Sequence, residues 1–221
     1  MRTAFTVLKV IALTVILFVC FGLAGGVLGH QEDFQSSQDA GSAAIILLLV
    51  CVLDTLVLTY MILRSSWTGW RLIVAVFFIF YGVSCFMAQI ESAVFITRLP
   101  PDILPRLFLM GVLFAAPFSI LAVLILGKIR PFGGIVENNE RLKMPISEWS
   151  WKLAVIAAAY VLLYFTFGYY IAWRNPAVPE YYGGTDPGSF FAQFGNVLRD
   201  TPWLVPFQVL EQCFGLLSRY L

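Results

Sequence analysis

The sequence predicts an all-α protein, a polytopic transmembrane helix bundle of about six spans, and three observations carry that prediction. Of its 221 residues, 60% are hydrophobic and 12% charged, against about 45–50% and about 25% in soluble domains. The apolar residues gather in blocks close to the 20 or so residues that a helix needs to cross a hydrocarbon core about 30 Å thick. Lys and Arg crowd into alternate connections between the blocks, as they do in cytoplasmic loops. Lipid offers the backbone no hydrogen-bonding partner, so blocks of this kind fold as helices.

The first block, 4–29, follows Arg2 and contains Lys9. Its apolar run from Val10 to Leu28 exceeds the core of about 7–15 residues of a secretory signal. No convincing small-x-small cleavage site precedes the polar His30, Gln31, Glu32 and Asp33, so a retained helix is expected. The second block, 42–63, carries Asp54 in its middle, and the tight connection Arg64 to Arg71 supplies the aromatic anchors Trp67 and Trp70. The third, 72–97, stops at Leu99-Pro100-Pro101, because proline cannot donate to a continuing helix and restricts the residue before it.

The fourth block, 107–127, is expected to begin after Pro105; Pro117 offers a kink, but its accommodation by neighbouring helices is the preferred reading. Lys128 to Trp151 is the longest basic connection, with turns at Pro131, Gly133-Gly134 and Asn138-Asn139. Ser147 is the expected cap of the fifth helix, with Glu148 in the first turn, where a negative charge suits the helix dipole. That block, 153–173, offers Ala154, Ala157, Ala158 and Ala159 for close helix approach. Tyr160, Tyr164, Tyr169, Tyr170 and Trp173 then approach the interface as packing residues and anchors.

Between Arg174 and Pro202, Phe190, Phe191, Phe194, Val197 and Leu198 fall at helical spacing opposite Gln193, Asn196 and Arg199. A short external amphipathic helix is expected there, lying on the membrane surface or capping the bundle as a lid. The last block, 203–221, is short and holds Pro206, Gln208, Glu211 and Gln212, so it reads as a span, an interfacial segment or part of a span.

With six spans, Arg2, Lys9, Arg64, Arg71, Lys128, Arg130, Arg141, Lys143, Lys152 and Arg219 fall on one side. Arg98, Arg106, Arg174 and Arg199 fall on the other, which puts both termini in the cytoplasm. Residues 1–221 read as one transmembrane domain in the lipid bilayer, without a soluble catalytic module. A net charge of +1 gives no argument for nucleic acid.

Catalytic signatures are absent from the sequence. A single histidine, His30, leaves no zinc-binding histidine pair and no histidine-based triad. No phosphate-cradling glycine loop and no Gly-x-Ser-x-Gly nucleophile turn occurs. Cys20, Cys51, Cys85 and Cys213 all lie inside apolar blocks without Cys-x-x-Cys spacing, which reads as packing and implies neither metal nor disulfide framework. No cofactor is expected.

Ionisable residues inside spans are expensive in lipid and are therefore the candidate sites. Asp54 lies with Cys51, Thr55 and Thr59 on a narrow stripe of small and polar residues. In the third helix Tyr81, Ser84, Cys85, Ala88, Glu91 and Ser92 share one face of a regular α-helix, with Gln89 at its edge. Helical rise puts Glu91 about 9 Å below the end near Thr97 and Glu211 about 12 Å below Trp203, so Gln89, Glu91, Gln208 and Glu211 can share a layer. Asp54 falls about 18 Å from Ser42 and is not expected to reach Glu91. Such a cluster attracts a cation, a proton or a polar solute.

The stretch Phe86-Met87-Ala88-Gln89-Ile90-Glu91 and the segment from Tyr164-Phe165-Thr166-Phe167-Gly168 through Trp173-Arg174-Asn175-Pro176 resemble uncharacterised multi-pass proteins of bacterial membranes. The resemblance spans the third helix to the last. It implies a bacterial inner-membrane setting and further helices beyond Leu221, and brings no activity with it. Three functions compete: a transport or permeation component using the buried acids; a non-catalytic subunit or scaffold docking a partner membrane protein or a second copy; and an intramembrane enzyme acting on a lipid-linked substrate. The acids favour the first.

Overall fold

The computed structural model describes residues 2–28, 40–95, 102–129, 145–174 and 188–209, and all regular structure among them is helical. Five helical segments are long and apolar enough to cross a membrane: Phe5–Leu28, Gly41–Arg64, Gly69–Ala93, Ile103–Leu126 and Ser147–Arg174. The sixth expected span is described only as a helical turn over 204–209, and the rest of it lies outside the described residues. Contacts divide the chain into two compact units, with the division falling between Gln89 and Ile90.

The first unit holds α1 (Arg2–Leu28), α2 (Ala40–Arg64), α3 (Gly69–Tyr81) with the π-helical turn Gly82–Met87 that continues it, and α5 (Ile103–Leu126). Each helix turns one apolar stripe inward and leaves the remaining apolar surface uncovered, as a lipid-facing helix does. Leu13 and Leu17 of α1, Leu58 and Ile62 of α2, and Leu72, Val76 and Phe80 of α3 repeat every fourth residue and are buried. They close around α5, whose Phe114, Ala115, Phe118, Ala122 and Val123 complete the core. Phe21 stacks on Phe114 at 3.9 Å between ring centroids, and Phe80 meets both Phe114 and Phe118.

One end of this unit is tied by Lys128, which follows α5. Its Nζ donates to the Ser65 carbonyl at 2.8 Å, and its own carbonyl accepts from the Gly69 N–H at 2.8 Å. The short turn between α2 and α3 is thereby pinned to the end of α5. Gly69 takes φ +64°, and a Cβ there would sit 3.1 Å from the Ile129 carbonyl oxygen. Left-handed backbone is disfavoured for an L side chain by about 1–2 kcal/mol. Gly69→Ala should therefore lower the thermal midpoint of the purified protein, and an unchanged midpoint would show that the turn tolerates another backbone conformation.

Two helix starts differ from the sequence reading. Helix α5 begins at Ile103 rather than after Pro105, because a proline in the first turn removes an N–H that has no intrahelical acceptor anyway. The helix also runs unbroken past Pro117. In the second unit α6 (Ile146–Tyr170) is not capped by Ser147. Extended Pro145 holds the N-cap, and its carbonyl accepts from the N–H groups of Glu148 and Trp149. Glu148 does stand in the first turn, paired with Lys152 at 3.3 Å.

The second unit contains the end of α4 (Ala88–Phe95), α6 with a 3-10 turn at Ala172–Arg174, α7 (Phe190–Asp200) and the turn at 204–209. Helix α7 is the expected amphipathic helix. Ser189 caps it, its hydroxyl accepting from the Ala192 N–H at 3.2 Å. Phe190 packs on Tyr169 and Tyr170, and Phe194 meets Phe165 edge-on at 4.9 Å, so the helix docks on α6. Phe191 is left 82% exposed. Gln193, expected on the polar side, instead has its Oε1 buried, since it follows Phe190 by three residues and shares its face.

Candidate functional site

The carboxyl of Glu91 and the hydroxyl of Tyr164 form the central polar contact of the second unit. Glu91 lies in the first turn of α4. Tyr164, on α6, donates its hydroxyl hydrogen to Glu91 Oε1. Among the described residues this is the carboxyl's one side-chain partner, and no Lys or Arg pairs with it. The tyrosine ring is held edge-on by Phe165, itself buried and packed on Phe194, so the aromatic contacts that dock α7 also fix the donor.

Upstream of Glu91 the helix does not keep the regular phase that the sequence reading assumed. Gly82–Met87 is π-helical. A π turn bonds i to i+5 and holds an extra residue, which rotates everything after it by about 100° relative to an uninterrupted α-helix. Tyr81, Ser84 and Cys85 therefore do not continue into Ala88, Glu91 and Ser92 as one face. The π turn is packed tightly against α5 at Gly111. A Cβ built on Gly111 would fall onto Cys85 Sγ, 2.8 Å from Cys85 Cβ and 2.9 Å from Tyr81 Cε2. The Cys85 thiol donates to the Leu107 carbonyl at 3.4 Å, so it serves as packing and as a weak donor within the span.

Gln89 belongs to the first unit, and among the described residues its buried Oε1 has no hydrogen-bond partner. Gln208 belongs to the second, where it is fully buried and, among the described residues, neither amide atom has a partner. Glu211 lies outside the described residues. Asp54 is half-buried on α2, in the first unit, where Cys51, Thr55 and Thr59 form the buried stripe as expected. Asp54 itself stands at that stripe's edge, about 100° round the helix from Thr55.

No family model, curated protein or solved structure matches the chain. Its chemistry is therefore read from its own side chains. Tyr164 is the site residue that sequence reasoning passed over, taking it for a packing or interfacial tyrosine. The available signal was its position: it lies deeper in the span than Tyr169, Tyr170 and Trp173, where a phenol needs a partner. Among the described residues no three His, Cys, Asp or Glu side chains converge. What the pair offers is an acceptor carboxyl oriented by a hydroxyl donor inside a span.

Proposed function

We propose that the chain is a transport or permeation component of a bacterial inner membrane, with both termini cytoplasmic, and that Glu91 and Tyr164 bind a cation or small polar solute during passage. The observation that carries this reading is the Glu91 carboxyl itself, which lies in a membrane-length helix with a hydroxyl donor and, among the described residues, no Lys or Arg paired with it. An acid kept in such a place at high energetic cost is a ligand-site hypothesis by default. The amide of Gln208 and the Oε1 of Gln193, unpartnered among the described residues, add polar groups within the same unit. For orientation, the contact of Lys128 with Ser65 and Gly69 supports grouping those two basic connections on one side.

A second reading, a membrane scaffold or complex subunit, is favoured by α6. Only 6% of its span window is buried, against 44% for α5. Ala154, Ala158 and Ala159 stay exposed on it, and small residues in spans permit close approach of another helix. The two readings part in proteoliposomes. Transport predicts sodium, potassium or proton flux above that of empty vesicles, falling about tenfold or more in Glu91→Gln. Wild-type vesicles as tight as empty ones to all three would remove the cation-transport reading and leave the scaffold.

A further inference from the structure

Two hydroxyls in the first unit are bonded differently from other hydroxyls carried on helices of this chain. Thr14 donates to the Val10 carbonyl at 3.0 Å, Ser119 to Ala115 at 2.7 Å, Thr166 to Leu162 at 2.6 Å and Thr201 to Val197 at 3.1 Å. Each thus satisfies itself on its own helix, four residues back. Thr55 and Thr59 do not. Thr55 is 0% and Thr59 5% exposed, and among the described residues neither Oγ1 has a hydrogen-bond partner. They stand one turn apart on the inward stripe of α2, between Cys51 and Ile62, which are both fully buried where α2 packs against α1 and α5.

We propose that Thr55 and Thr59 together hold one buried water molecule in this helix contact. Side chains four residues apart on a helix have Cβ atoms about 5–6 Å apart. A water oxygen at ordinary O–H···O distances of about 2.8 Å from each hydroxyl bridges that gap. It also supplies what both hydroxyls lack, since buried waters make about three hydrogen bonds to groups otherwise unsatisfied. The ligand is neutral. Asp54, the only carboxylate in the middle of α2, projects about 100° from Thr55 and about 140° from Thr59 around the helix, so it does not complete a cation site with the pair. The inference stands apart from the role given to Glu91 and Tyr164.

Valine keeps the shape of threonine and removes only the hydroxyl, so the test uses Thr55→Val, Thr59→Val and the double variant in nanodiscs. A shared water predicts that each single substitution lowers the thermal midpoint by about 2–4 °C, and that the double variant falls little further than one single. It also predicts nuclear Overhauser transfer from water to the threonine methyl groups of the wild type, lost from Thr59 in Thr55→Val. Unchanged or raised midpoints without that transfer would overturn the proposal, because the hydroxyls would then be dry or bonded to their own helix. A midpoint raised by sodium chloride but not by choline chloride, and insensitive to sodium in the double variant, would overturn it in favour of a cation.

Discussion

Gly111→Ala is expected to destabilise the protein by about 1–3 kcal/mol, the usual range for overpacking a filled contact. Alanine's higher helix propensity offsets at most about 1 kcal/mol of that. The added methyl meets Cys85 Sγ, Cys85 Cβ and the Tyr81 ring at once, and the Cβ of Cys85 cannot rotate away. The collision falls on the π turn. Replacing Cys85 as well, in Gly111→Ala/Cys85→Ala, removes the sulfur and should recover part of the lost thermal midpoint. A single variant as stable as wild type, or a double variant no better than Gly111→Ala, would mean that the close approach does not hold the turn.

The second large effect is expected at the Glu91–Tyr164 contact. Tyr164→Phe deletes the donor while keeping the ring on Phe165, and Glu91→Gln deletes the carboxylate while keeping its shape. In a double-mutant cycle the two should be coupled by about 1–2 kcal/mol, the upper part of the range for hydrogen bonds between membrane helices. Additive single effects on thermal midpoint would show that the hydroxyl and the carboxyl do not act on each other.

The spans were legible because their signal is bulk hydropathy, which no tertiary contact alters. Helix α7 was legible too, since Phe190, Phe194 and Val197 keep helical spacing; Gln193 was misassigned because apolarity was used to find a face that a glutamine shares. The start of α5 was misread because proline was treated as a stop, and that of α6 because serine is a favoured N-cap and Ser147 was given that place. Pro105 sits in a first turn, and Pro145 supplies an extended N-cap. The π turn left only Gly82 and Ser84 as faint marks in the sequence. Its immediate setting is the approach of Gly111, a contact between residues far apart in the chain. The same holds for Tyr164, which comes 73 residues after Glu91 and whose partnership no local pattern encodes.

Native mass spectrometry of the wild type beside Glu91→Gln, both extracted gently from the native membrane, separates a ligand site at Glu91 from helix packing. With a ligand site, a small polar molecule or cation is retained by the wild type and absent from the variant, with both proteins folded to the same extent. A wild type that carries a partner chain and no small ligand, or a ligand held equally by Glu91→Gln, would contradict the ligand site and leave Glu91 as a packing residue hydrogen-bonded to Tyr164.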